Sequence, residues 1–140
     1  MKKLLLVILA VVAVISAGSS ALAADSQPVK VIAYYFHGLF RCYTCNMMEK
    51  YSKEAIEANF KDALTSGSLE FKEVNVEERE NEHFVKKYNL YTKTLILSLI
   101  KDGKEVRSKN LDKIWQYARN KQRFIEYVTG EVDEFIKDIK

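Results

Sequence analysis

Cys42 and Cys45 are the only cysteines in the 140-residue chain, and just two residues separate them. Any thiol chemistry here therefore belongs to one short stretch, Ala33 to Met48, read as AYYFHGLFRCYTCNMM. An apolar run ends at Gly38, a short basic loop follows, and a helix is expected to begin at or just after Cys42. The unpaired N–H groups and positive dipole end of a helix start favour a thiolate over a thiol. Arg41, immediately before Cys42, adds a fixed positive charge. Such a setting can lower the pKa of Cys42, the outer sulfur, and leaves Cys45 one turn deeper as a resolving partner. That is the logic of a dithiol/disulfide couple.

Two other roles stay open for the same pair. One is an inert local disulfide. The other is a soft-metal site: two thiolates alone suit Cu(I) or a thiophilic metalloid, because soft sulfur ligands select such ions. A closed zinc site needs four ligands, and the candidate set would be Cys42, Cys45, His37 and His83. Met47 and Met48 also carry soft sulfur, but Met48 fits an apolar helix face with Tyr51 and Ala55, so packing is the simpler role. His37 fits more simply a strand-end histidine bonded to backbone. No Ser/His/Asp triad, Gly-rich phosphate loop, HExxH or EF-hand pattern is present.

The first 23 residues read as an address. Lys2 and Lys3 form a positive start, Leu4 to Ala17 is a 14-residue stretch apolar save for Ser16, and Ala21-Leu22-Ala23 offers a small-x-small cleavage site before Ala24. A spanning helix needs about 20 apolar residues, so a cleaved signal peptide is expected, not an anchor, followed by one exported domain over 24–140. Its removal takes two lysines and no acids, so the net charge falls from +3 to +1. A near-neutral chain of 117 residues has no electrostatic footprint for nucleic acid and suits a single core. One cysteine pair closing a tiny loop adds little stability, which points to chemistry in preference to stapling.

The elements that must position the pair follow from patterning. Val29 to Phe36 is β-branched or aromatic except at Lys30 and Ala33 and too apolar to alternate cleanly, as a strand buried on both faces would be. A helix follows the cysteines, with Gly67 placed as its C-cap. Leu69 to Val76 reads as a second strand whose phase slips between Phe71 and Val74, so a bulge or shifted boundary is allowed. Glu77 to Tyr88 suits a short surface helix, its acidic run solvated. Thr94 to Ile100 is the central-strand candidate, and Lys101-Asp102-Gly103-Lys104 carries the Asp-Gly signal of a tight hairpin to an edge strand, Glu105 to Lys109. The remainder is helical, with Phe124, Val128, Val132, Phe135, Ile136 and Ile139 on one face and a bend allowed at Gly130. Trp115, Tyr117 and Tyr127 are expected to pack with Phe124 on the sheet. The order β–CxxC–α–β–α–β–β–α implies a mixed four-stranded sheet with helices on both faces and a long C-terminal helix.

CYTC after the first strand, then VNVEERENEHFVKKYNL, then TLILSLIKDGKE, together resemble the thioredoxin superfamily over essentially the whole of 24–140. Within it, YYFHG–RC–TC is similar to a group of small exported bacterial thioredoxin-like proteins, some labelled a nitrophenyl-compound nitroreductase subunit. The resemblance implies a thioredoxin-like α/β fold and thiol–disulfide exchange with Cys42 attacking and Cys45 resolving. It also implies no bound cofactor. The partners would be a protein or small-molecule disulfide and an envelope redox partner, on the extracytoplasmic side of a bacterial envelope. An electron-transfer subunit of a larger reductase and a Cu(I) or metalloid carrier are the alternatives.

The chain departs from that pattern in three places. Thioredoxins hold a cis-proline before the third core strand, and its backbone pairs with substrate. The matching residues here are Lys93 and Thr94, with no proline after Pro28. A cis bond without proline costs about 2.5–4 kcal/mol, so a trans peptide is expected. The position of the family's buried acid, counted back from the motif, is Phe36, with His37 the nearest titratable group. The intervening pair Tyr43-Thr44 does not set the direction of electron flow.

Overall fold

The structure, a computed structural model, describes residues 28–139. The signal-peptide reading of residues 1–23 lies outside them. The elements are β1 (Lys30–His37), α1 (Tyr43–Asn59), α2 (Lys61–Ser66), β2 (Leu69–Asn75), a short 3-10 turn (Arg79–Asn81), α3 (Glu82–Tyr88), β3 (Thr94–Lys101), β4 (Lys104–Asn110), α4 (Ile114–Tyr117) and α5 (Lys121–Lys137). The sheet order is β2-β1-β3-β4, with β1 parallel to β2 and antiparallel to β3, and β3 antiparallel to β4. This is the mixed, four-stranded, thioredoxin-like α/β arrangement, closed by a long C-terminal helix.

Alternation along β1 divides the core into two layers. Val31, Ala33 and Tyr35 face one side, with Leu95, Leu97 and Leu99 of β3 beside them, and meet Met48, Ala55 and Ile56 of α1 and Phe124, Val128, Val132 and Phe135 of α5. Each Val, Leu, Ile, Met or Phe side chain among them, fully buried, contributes about 1.5–3 kcal/mol. The opposite side is smaller and more aromatic: Phe36, Val74 and Ile96 are buried, with Tyr34, Phe84, Tyr88 and Leu90 packed against them. α3 covers that layer.

The phase slip in the second strand needs no bulge. Pairing runs unbroken from Val31–Leu69 to His37–Asn75. Leu69 and Phe71 join the α1/α5 layer, whereas Val74 and Val76 join the α3 layer, so the strand serves both faces in turn. The register shift falls instead between β3 and β4 at Leu99/Ile100. At the hairpin Asp102 and Gly103 both take positive φ, 51° and 73°, as a type I′ turn requires. The first helix is interrupted at Phe60, where φ −129° and ψ 37° leave the helical region. Gly67 accordingly caps α2. α5 runs through Gly130 without interruption.

Candidate functional site

The site sits where β1 ends and α1 begins. Cys42 is the N-cap of α1, in extended backbone geometry, and its sulfur accepts a hydrogen bond of 3.1 Å from the Cys45 backbone N–H. This is the cap position at which serine or aspartate would satisfy one of the helix's orphan donors. In a reduced protein the same N–H is aimed at the sulfur, which favours the thiolate there. The two sulfurs are joined in a disulfide across Cα atoms 5.1 Å apart. Cys42 is half-buried and Cys45 is 1% exposed, so an incoming group reaches the outer sulfur first.

The loop from β1 to Cys42 is pinned from the neighbouring strand. The His37 carbonyl accepts from the Val76 N–H at 2.9 Å, which carries the β1–β2 pairing past the strand end. Glu77 Oε2 then accepts from the Leu39 N–H at 3.1 Å. A Cβ on Gly38 would lie 2.4 Å from Glu77 Oε1, so glycine is what lets the carboxylate close over the loop. Glu77 thus anchors the pre-cysteine loop, where the acidic run suggested only a solvated surface.

Arg41 is committed elsewhere than to the thiol. Its guanidinium pairs with Glu49 of α1, and Nε donates to Asn46 Oδ1 at 3.3 Å. The positive charge beside Cys42 therefore arrives with a carboxylate attached, which reduces its effect on a nearby thiol. His37 Nδ1 lies 3.0 Å from the Gly38 carbonyl and donates to it. His83 lies on α3, bonded through Nδ1 to the Glu80 carbonyl and against the Phe84 ring. Among the described residues no three His, Cys, Asp or Glu side chains gather where they could hold a metal ion. The four-ligand zinc set does not assemble. Met48 is fully buried in the core, and Met47 is half-buried beside it.

Thr94 opens β3 opposite Phe36 and is buried, its hydroxyl bonded to the Asn110 side chain. No peptide bond among the described residues is cis, so the Lys93-Thr94 link is trans as expected. Lys93 sends its ammonium toward Phe40, 5.9 Å from the ring centre. Its carbonyl accepts from the Trp115 indole N–H at 2.9 Å, which ties the loop before β3 to α4. Trp115 is thus a strap at the surface, partly exposed, while Phe124 is the ring that fills the core. At the end of β1, where the loop toward Cys42 starts, a groove of about 230 Å³ is lined by His37, Gly38 and Glu77 and by Tyr91, Thr92 and Lys93.

Two features of the site went unread in the sequence. Leu39, Phe40, Tyr43 and Tyr91 are 75%, 74%, 80% and 87% exposed, and the first three flank the cysteines in sequence. The only signal for them was their position in loops or, for Tyr43, between the two cysteines. The second is Tyr35. Phe36, matched by counting to the family's buried acid, faces the α3 layer among Phe84 and Tyr88. The residue beneath the inner cysteine is Tyr35, fully buried, whose hydroxyl donates to the Cys45 carbonyl at 2.8 Å. The sequence, apolar or aromatic at every position from Val31 to Phe36, carries no signal that chooses between the two neighbours. Burial pushes the Tyr35 phenol well above its ordinary pKa, with Arg41 opposing the shift, so it stays protonated.

No family model matches the chain, and no curated protein matches it. Among solved structures it is similar to a thioredoxin of Fasciola hepatica, at 26% identity over 71% of this chain and 79% of that one, TM-score 0.40. A reduced thioredoxin pre-protein of Schistosoma mansoni matches at 21% identity over 68% and 79%, TM-score 0.41. A thioredoxin from Thermus thermophilus matches at 18% identity over 64% and 72%, TM-score 0.38. The fold assignment rests on the sheet order and register, not on these scores.

Proposed function

We propose that this protein is an exported thiol–disulfide exchange protein in which Cys42 attacks and Cys45 resolves. One observation carries the reading: the only two cysteines form a disulfide across the N-cap of α1, with the outer sulfur reachable and the inner one buried. In the reducing direction the Cys42 thiolate attacks a substrate disulfide, forming a Cys42–substrate bond and expelling one substrate thiolate. Cys45 then loses its proton and attacks the Cys42 sulfur, releasing the second substrate thiolate and closing the 42–45 bond. Two electrons pass from the dithiol to the substrate, and a dithiol partner in the envelope restores the reduced pair. The reverse sequence oxidises a substrate dithiol, and the partner's potential sets the direction.

The exposed Leu39, Phe40, Tyr43 and Tyr91 side chains support a partner with apolar surface beside its own disulfide. Export rests on the basic start, apolar run and small-x-small site of residues 1–23. No helix among the described residues is long and apolar enough to cross a membrane.

The test is trapping. In the chain from Ala24, Cys45→Ser should accumulate a stable mixed disulfide with a model disulfide, because the resolving sulfur is gone. Cys42→Ser should form less than about a tenth as much, since the remaining sulfur is buried. Equal trapping by both variants, or by neither, would overturn the assignment of roles.

A further inference from the structure

Once the disulfide opens, what keeps Cys45 within reach of Cys42? Two hydrogen bonds reach the Cys45 backbone besides its own helical bonds. One, the Cys45 N–H to Cys42 Sγ bond, ends on the sulfur that must bond to substrate. The other, the Tyr35 hydroxyl to the Cys45 carbonyl, involves neither sulfur. Tyr35 is fully buried on β1, the strand paired on both sides, opposite Glu73 of β2 and Leu95 of β3. Its ring is wedged into the α1/α5 core layer. It is therefore among the least movable side chains in the molecule, and in the disulfide state it grips the backbone of the inner cysteine.

We propose that Tyr35 is the positioning residue for the resolving step: it holds Cys45 at attack distance while Cys42 is tied up in the mixed disulfide. This deepens the exchange reading and rests on it. Intramolecular attack is sensitive to placement, because a small displacement of a reacting atom forfeits much of the advantage of proximity. A phenol that donates to a carbonyl is not placed to take the thiol proton. Burial also keeps it protonated. Tyr35 thus governs where Cys45 is, not when it ionises.

The experiment is stopped-flow reaction of the reduced protein with 5,5′-dithiobis(2-nitrobenzoate), which releases one coloured thiolate when Cys42 attacks and a second when Cys45 resolves. Tyr35→Phe keeps the ring and removes only the hydroxyl. The first phase should be unchanged, and the second should slow by about three- to tenfold. The pH midpoint of the second phase should stay where it is in the natural protein. Val128→Ala, a cavity on the same core layer remote from the cysteines in sequence, is the control for lost stability and should leave both phases intact.

An unchanged second phase in Tyr35→Phe, or equal slowing in Val128→Ala, would reduce Tyr35 to packing and overturn the proposal. A shifted pH midpoint would make it a proton-transfer group and overturn it equally. A natural protein that releases no second thiolate would instead remove the exchange reading itself, which separates the two failures.

Discussion

The two faces of the sheet are built to different standards. On the α1/α5 face sixteen buried residues form one continuous layer, most of them aliphatic, and both long helices lie on it. On the α3 face only Phe36, Val74 and Ile96 are buried within the cluster, beneath a seven-residue helix with no fully buried residue of its own. Aromatic rings fill that layer: Tyr34, Phe36, Phe84 and Tyr88 stack or tilt within 5.2–6.5 Å of one another. A polar cluster closes it, where Glu105 Oε2 accepts from Ser98, Tyr88 and Lys87. The cysteine helix belongs to the well-filled face, and Cys45 is buried at that helix's first turn. The loop carrying Tyr91, Thr92 and Lys93 follows α3. The chemistry is thus mounted on the rigid half, and part of the lining of the groove at the end of β1 on the looser half.

Truncating one ring on each face tests that contrast most severely. Phe124→Ala opens a cavity under both long helices and should cost about 3–5 kcal/mol in urea unfolding. Phe84→Ala, on a helix with solvent behind it, should cost about half as much or less, because the site can collapse or fill with water. Amides of α3 should also exchange with deuterium faster than those in the middle of α1. Equal costs and equal protection would erase the distinction between the faces.

A smaller effect lies in the polar cluster. Burial alone would raise the Glu105 pKa, but hydrogen bonds from Ser98, Tyr88 and Lys87 outweigh it and hold the carboxyl below its ordinary range. A carboxylate depressed in the folded state stabilises the fold above its unfolded pKa, near 4.3. That contribution is lost as pH falls through the folded value. Stability of the natural protein should therefore decline below about pH 4.5, and the gap to Glu105→Gln should be constant above that and shrink below it. A gap that stays constant down to pH 2 would remove Glu105 as a titrating contributor.

Much of this architecture was legible because period-2 and helical patterns act locally. TLILSLI read as the central-strand candidate, Asp102-Gly103 as a tight turn, and the apolar stripe from Phe124 to Ile139 as a long helix on the sheet. Cys42 at a helix start was readable for the same reason. The gaps arise where position depends on another segment. Phe36 and Tyr35 are adjacent and both aromatic, and only the sheet's two layers decide which one lies under Cys45. Glu77 looked like one acid among many until Gly38 was brought against it. Arg41 lost part of its expected influence to Glu49, eight residues on, and because Arg41 precedes the helix start no helical spacing foretells that pairing.

The central claim is that Cys42 and Cys45 form one reversible two-electron couple in the folded protein. The most direct measurement equilibrates the chain from Ala24 in thiol buffers of graded potential, quenches it, alkylates it and counts labels by mass. The account predicts two species throughout, carrying either no label or two, interconverting around a single midpoint with a tenfold change in ratio per about 30 mV. Sulfurs that stay unlabelled until the protein unfolds would contradict it, as would tight Cu(I) binding by the reduced pair with no disulfide turnover under any thiol donor.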